Sequence, residues 1–206
     1  MKKIALIGAG AMGCVLGAYL KKGGADVILV DPFQAHMDSI AQKGLVLNSA
    51  CGCDNVHMKT AYSAENIGIM DYIIIMVKGV WTEEALKGAA GAIGEDTYVC
   101  TFQNGIGNVE LIEKTVPQEK ILYGCLNIAS ILTAPGEVYG NLFDEVNIYI
   151  GSLVKDAPQK SAGEALAKYF TDGGAVSEYV DNIDEKVWSK ALVNIVVNAS
   201  CGLVRL

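Results

Sequence analysis

The chain has 206 residues, 51% hydrophobic and 19% charged, with a formal net charge of −7. Such a composition supports a sizeable core and excludes a disordered chain. The negative balance argues against nucleic acid or an anionic membrane as the main partner, so an anionic ligand must be met by local donors. The longest apolar run, 72–77, falls far short of the ~20 residues that span a bilayer.

Strands and helices alternate over the first 115 residues. A short apolar strand is expected over 3–7. Residues 11–22 carry helical spacing in Met12, Val15, Leu16, Tyr19 and Leu20, ended by Gly23-Gly24. A strand over 27–30, a helix over 34–42 and a strand piece over 45–47 follow. The all-apolar run 72–77 fits a strand covered on both faces. Next come a helix over 82–93, a strand over 97–102, a helix over 108–115 and a strand over 121–124. This order predicts an α/β fold with a mainly parallel sheet and right-handed crossovers.

After Cys125 the character changes. Strand-like pieces around the turn Ala134-Pro135-Gly136-Glu137 predict an antiparallel extension over 126–150. An amphipathic helix is expected over 161–170 and a last strand over 176–180. The polar stretch 181–185 opens a final helix, with acidic residues suited to its N-terminus. The expected domains are therefore 1–180, a nucleotide-binding unit, and 181–206, the start of a helical second domain. The six cysteines, mostly in apolar runs, read as reduced thiols of a cytoplasmic protein. Cys51-Gly52-Cys53 with His57 nearby supplies too few ligands for a metal, and none is expected.

Gly8-Ala9-Gly10-Ala11-Met12-Gly13 follows a strand and opens a helix, the context a dinucleotide fingerprint requires. Gly8 permits the tight turn, Gly10 lets the backbone approach a pyrophosphate, and Gly13 lets the helix pack on the sheet. The helix N-terminus supplies free amide donors and a partial positive charge to phosphates. The plain alternative is a glycine turn made for packing. With the alternating elements, the motif predicts a Rossmann-type, doubly wound sheet. Asp31 ends the second strand, where a carboxylate accepts hydrogen bonds from the adenosine ribose and repels a 2′-phosphate. It favours NAD over NADP, unless it only caps the turn. Lys78 and Asn104 end the two following buried strands, at the sheet edge where such folds bind ligands. Lys78 can meet cofactor or an anionic substrate, and Asn104 a ligand near the nicotinamide. The alternatives are a solvated strand end and a plain Asn-Gly turn.

Lys190, Asn194 and Asn198 recur every four residues, which puts them on one face of the final helix. The residues between them are almost all apolar, so this helix is expected to be buried. There an ammonium and two amides are costly unless they bind something. In the plain alternative Lys190 reaches solvent and the amides bond neighbouring backbone. A non-catalytic dinucleotide-binding regulatory module explains the glycines and Asp31 but not this row.

Taken together, Gly8-x-Gly10-x-x-Gly13, Val77-Lys78-Gly79-Val80-Trp81, Gln103-Asn104-Gly105-Ile106-Gly107 and Trp188-Ser189-Lys190-x-x-x-Asn194-x-x-x-Asn198 resemble the ketopantoate reductase (2-dehydropantoate 2-reductase) family. The resemblance implies an NADPH-binding first domain and a helical second domain closing over a 2-keto acid. It implies Lys190 as general acid and Asn104, Asn194 and Asn198 as substrate-binding residues. With the fingerprint and Asp31 as read above, and Lys78 and Asn104 as the resemblance implies, cofactor contacts are expected from Gly8, Ala9, Gly10, Ala11, Met12, Gly13, Asp31, Lys78 and Asn104. The implied reaction is NAD(P)H-dependent reduction of 2-dehydropantoate to pantoate in pantothenate biosynthesis, and a homodimer is compatible with it. Two departures stand out. NADP-using members carry a basic residue where this chain has Asp31, which makes an NADH-dependent D-2-hydroxy acid dehydrogenase the competing expectation. The stretch after Asn198 also departs from the family pattern. Family members run to roughly 300 residues, above the size at which one core usually suffices. The chain is therefore expected to be part of a longer protein, with the family's catalytic glutamate and a substrate-binding serine outside it.

Overall fold

The structure is a computed structural model that describes residues 1–143 and 145–204, apart from the side chains at 198–200, 203 and 204. In chain order the elements are β1 (Lys3–Ile7), α1 (Ala11–Lys22), β2 (Asp26–Val30), α2 (Gln34–Lys43), β3 (Leu45–Ser49), β4 (Gly52–Val56), β5 (Lys59–Ala61), β6 (Tyr72–Ile75), α3 (Thr82–Gly88), β7 (Tyr98–Thr101), α4 (Asn108–Glu113), β8 (Ile121–Leu126), β9 (Ile128–Ala134), β10 (Glu137–Leu142), β11 (Ile148–Ser152), α5 (Ala157–Asp172), β12 (Ser177–Tyr179) and α6 (Ile183–Val204). Among the described residues, an eight-stranded sheet has the order β12-β11-β8-β7-β6-β1-β2-β5. Every neighbouring pair in it is parallel except β8 with β11.

The central strand β6 is apolar at every position, and β1 is apolar from Ile4 on, because both of their faces are covered. Alternate residues of β1 and β6 divide between two cores. Ile4, Leu6, Tyr72 and Ile74 face α1 and α5, while Ala5, Ile7, Ile73 and Ile75 face α3 and α4. The chain order reverses at β1, which lies between β2 and β6, and so creates the crevice in which such sheets hold ligands.

The expected antiparallel extension is present but divided. One part, β11, joins the main sheet against β8. The other, the β9–β10 hairpin, joins β3 and β4 in a second sheet of order β4-β3-β10-β9. This second sheet packs on the outer side of α1, so α1 is covered on both sides. A helix apolar nearly all round belongs in such a place, and every residue from Gly13 to Leu20 is buried. The strands β4 and β5 were not expected from the sequence, and α3 is shorter than the 82–93 expected, ending at Gly88.

The cysteines divide evenly. Cys14, Cys100 and Cys125 are buried, whereas Cys51 and Cys53 are exposed and Cys201 is half-buried. Cys53 pairs with Asn48 near the β3–β4 turn, while His57 lies beside Gly44 past the other end of β4. Among the described residues no helix is long and apolar enough to cross a membrane.

Candidate active site

The glycine loop is shaped by contacts a side chain would destroy. Gly8 has φ +96, and a Cβ there would lie 2.5 Å from the Val77 nitrogen. At Gly13 a Cβ would lie 2.2 Å from the Gly8 carbonyl oxygen. Gly10 differs, since its Cβ would meet nothing within 4 Å. Gly10 is exposed and Ala11 and Met12 are half-buried, so the first amides of α1 open onto solvent, with no side chain capping them. Ala9 is buried, and its N–H donates to the Val30 carbonyl at 3.2 Å. The empty space above Gly10, together with free amides at the positive end of a 12-residue helix, fits a pyrophosphate.

Three strand ends continue this edge. Asp31 leaves β2 and accepts the Phe33 N–H on Oδ1 at 2.9 Å, so it does cap the turn. Oδ2 has no described partner and remains free for ribose hydroxyls. Lys78 follows β6, exposed and in no ion pair among the described residues. Gln103 ties β7 to its neighbours. Its Nε2 donates to the Val77 carbonyl at 2.6 Å and to the Thr82 hydroxyl at 2.9 Å. Asn104, next in the chain, is exposed, and its carbonyl accepts the Asn108 side chain at 3.2 Å. From β2 through β1 and β6 to β7 there are three strand spacings of ~4.8 Å, so the row spans roughly 14 Å. That length suits an extended ligand such as a dinucleotide.

At the far end of the row stands α6. Its first turn is fixed to the sheet at several points. Ile183 is fully buried against Gly151 of β11, and the Tyr123 hydroxyl of β8 donates to Asp184 at 2.8 Å. The Lys186 ammonium lies 4.4 Å from the Tyr149 ring centroid. Burial, with the Asp184 carboxylate beside it, pushes the Tyr123 hydroxyl well above the usual tyrosine range, so it stays a proton donor. A cleft of about 200 Å³ separates the Gln103–Asn108 loop from Val187 and Trp188 of α6.

Lys190 follows one turn later, half-buried like Asn194. Burial pushes the Cys125 thiol up, and the ammonium groups of Lys190 and Lys186 act against that shift, which sets Lys190 within electrostatic reach of Cys125. Cys125 lies two residues beyond Tyr123, the register partner of Thr101, so it stands level with Gln103 at the sheet edge. Lys190 thus lies on the side of α6 that packs against β8, and no hydrogen bond joins it to Asn104 among the described residues. The Asn198 side chain lies outside the described residues.

One expectation about this helix fails. Several apolar residues of α6 are not buried: Leu192, Val193, Ile195 and Val196 are each more than half exposed, with Ile195 at 63% and Val196 at 64%. The face that carries Lys190, Ala191 and Asn194 is the one turned toward the sheet. Apolar composition showed that α6 needs a cover but not which face the sheet supplies.

Sequence reasoning also missed His36, which is 1% exposed. Its Nδ1 accepts the Gly136 N–H at 2.8 Å, and its Nε2 lies 3.2 Å from the Cys14 sulfur. The Cys14 thiol in turn donates to the Ala9 carbonyl at 3.1 Å. The signal available was a histidine between apolar helix positions, and its partners lie 22 and 100 residues away.

Comparison with known proteins fits this geometry. Residues 4–155 match the family model described as ketopantoate reductase PanE/ApbA. The chain is 28% identical over 199 residues to the 2-dehydropantoate 2-reductase of Streptococcus pyogenes serotype M1, covering 97% of this chain and 63% of that protein. It is 29% identical over 204 residues to that of Lactococcus lactis subsp. lactis (strain IL1403), covering 98% of this chain and 64% of that protein. Among solved structures it superposes on D-mandelate dehydrogenase with NADH and anilino(oxo)acetate at a TM-score of 0.87 and 29% identity, over 99% of this chain and 65% of that one. It superposes on the 2-dehydropantoate 2-reductase of Geobacter metallireducens GS-15 at 0.88 and 29% identity, over 98% of this chain and 66% of that one. The chain thus spans 63% of the length of the first curated relatives. With three quarters of its residues inside the family match, the chain belongs to the ketopantoate reductase PanE/ApbA family.

Proposed function

We propose that this chain carries the cofactor-binding half and the proton-donor wall of an NAD(P)H-dependent 2-keto acid reductase. The foremost substrate is 2-dehydropantoate, reduced to pantoate. The observation that carries the reading is the row of Asp31, Gly10, Lys78 and Asn104 along one sheet edge, with Lys190 at its end. Gly8 to Gly13 hold the pyrophosphate through free amides and open space. Asp31 takes the adenosine ribose, and Lys78 supplies a cation that the acidic chain otherwise lacks there. A bound nicotinamide supplies the hydride for the carbonyl carbon. Lys190 donates the ammonium proton to the carbonyl oxygen, giving a 2-hydroxy acid and leaving a neutral amine that solvent reprotonates. Asn104, Asn194 and Asn198 orient the keto acid by amide hydrogen bonds, and Asn104 also reaches the nicotinamide side. We further assign 1–180 to the dinucleotide-binding domain and 181–206 to the start of a helical second domain.

A second reading, an NADH-dependent D-2-hydroxy acid dehydrogenase, is favoured by two observations. One is the Asp31 carboxylate with its free oxygen. The other is the close superposition on D-mandelate dehydrogenase, solved with NADH. Oxidation of NADH and of NADPH, each measured with 2-dehydropantoate and with branched and aromatic 2-keto acids, separates the two. Preference for 2-dehydropantoate supports the first reading, and preference for NADH with bulky keto acids supports the second. No oxidation with any pair by the natural full-length protein would sink both and leave a non-catalytic dinucleotide-binding module.

A further inference from the structure

We propose that His36 is a positioning residue for the cofactor loop, coupling the second sheet to the amide that meets the pyrophosphate. The inference rests on the dinucleotide reading of the glycine loop and adds to it a residue outside the fingerprint.

The hydrogen bonds around His36 have one consistent direction. The Gly136 N–H, in the β9–β10 turn, can only donate, so Nδ1 of His36 is the bare acceptor at 2.8 Å. The ring proton then sits on Nε2 and faces the Cys14 sulfur at 3.2 Å. The Cys14 S–H passes the direction on to the Ala9 carbonyl at 3.1 Å. Only a neutral imidazole and a neutral thiol satisfy this order. Burial drives both groups that way, lowering the His36 pKa, against the Ala9 carbonyl and the Asp31 charge, and raising that of Cys14.

The end of the relay gives it a function. The Ala9 carbonyl and the Gly10 N–H belong to one planar trans peptide and point in opposite directions. Holding the carbonyl toward Cys14 and His36 therefore aims the Gly10 N–H the other way. Gly10 is the residue above which the loop is open. The other end is equally constrained. Gly136 has φ +81, and a Cβ there would lie 2.4 Å from the Ser39 hydroxyl of α2. Phe33, whose N–H is held by Asp31, stacks on the His36 ring with centroids 6.0 Å apart. One side chain thus sets the glycine loop, the Asp31 turn and the second sheet against one another.

Acid should break the device. Protonated His36 would present an N–H to the Gly136 N–H, donor against donor. The lowered pKa keeps the relay intact at neutral pH, and it is lost as pH falls through that value. The titratable groups facing the ring are Asp31 from the end of β2 and Cys14 from α1, with the exposed Glu137 one residue beyond Gly136.

The test is the dissociation constant of NAD+ and of NADP+, measured by titration calorimetry on the whole chain from about pH 8 down to about pH 4.5, well below a histidine's ordinary range because burial lowers that of His36. We compare the wild type with His36→Leu and His36→Gln. The glutamine amide presents an acceptor and a donor side by side, as neutral imidazole does, and does not titrate. Binding by His36→Leu should be about tenfold weaker at the higher pH, the loss expected when a buried relay bond goes. His36→Gln should bind nearly as the wild type does there, and lose less affinity than the wild type on acidification. His36→Leu that is folded and binds as tightly as the wild type overturns the proposal. So does an acid loss in His36→Gln equal to that of the wild type, and this comparison decides the matter even where His36→Leu does not fold. A wild type that binds neither dinucleotide overturns the cofactor reading itself, whereas intact wild-type binding with an unaffected His36→Leu overturns this inference alone.

Discussion

At Gly10 the cost of a side chain falls on the ligand, and at Gly13 it falls on the fold. A methyl group at Gly10 meets no protein atom, while one at Gly13 runs into the Gly8 carbonyl at 2.2 Å. Gly10→Ala should leave the urea midpoint nearly unchanged, within about 0.5 kcal/mol of stability. Its affinity for a dinucleotide should fall by about tenfold or more, because the methyl group occupies the pyrophosphate's place. Gly13→Ala should lower stability by about 1–3 kcal/mol through overpacking. Paired denaturation and binding titrations check both. Equal losses of stability in the two variants would show that Gly10 also serves packing. The fingerprint was legible in the sequence because its three glycines stand at a fixed short spacing, even though Gly8 also clears Val77, far along the chain. The His36 relay was not, because Cys14, His36 and Gly136 meet only through tertiary structure.

Among the elements, α6 depends on few contacts with the sheet, and the Tyr123–Asp184 hydrogen bond is one of them. Tyr123→Phe leaves a buried ring in place but leaves the carboxylate without its donor. It should cost about 1–3 kcal/mol, and hydrogen exchange should locate the loss in the first turns of α6. Unchanged protection of those amides would mean that Ile183 and Lys186 hold the helix unaided. The parallel strands were readable because burial on both faces makes them continuous apolar runs. The strand β4 was not, since Gly52-Cys53-Asp54-Asn55 is polar and exposed and pairs only as a sheet edge. The β9–β10 hairpin was expected as a hairpin, but its sheet was not. Its partner β3 lies some 90 residues earlier, and no local pattern records that choice.

For the molecule as a whole, the face of α6 that carries Ile183, Lys190, Ala191 and Asn194 meets the sheet, and most of its larger apolar residues do not. Leu192, Val193, Ile195 and Val196 form a contiguous apolar surface, which on a folded protein marks a contact site. The curated relatives extend well beyond the matched region, this chain spanning 63% of their length. A second domain covering this face should appear in the natural protein as an intact mass above 21.8 kDa, the mass of the 206 residues. An intact mass equal to that value would contradict the two-domain proposal.

The proposed chemistry rests on Lys190 more than on any other residue. The most direct test is steady-state and single-turnover NAD(P)H oxidation by the natural protein with its preferred 2-keto acid, wild type against Lys190→Ala. Removal of a general acid should lower turnover by about 10²–10⁴-fold, with the dinucleotide dissociation constant within about twofold of the wild type, since Lys190 lies beyond the phosphate loop. Near-normal turnover in a folded Lys190→Ala variant would remove Lys190 from the reaction and contradict the account.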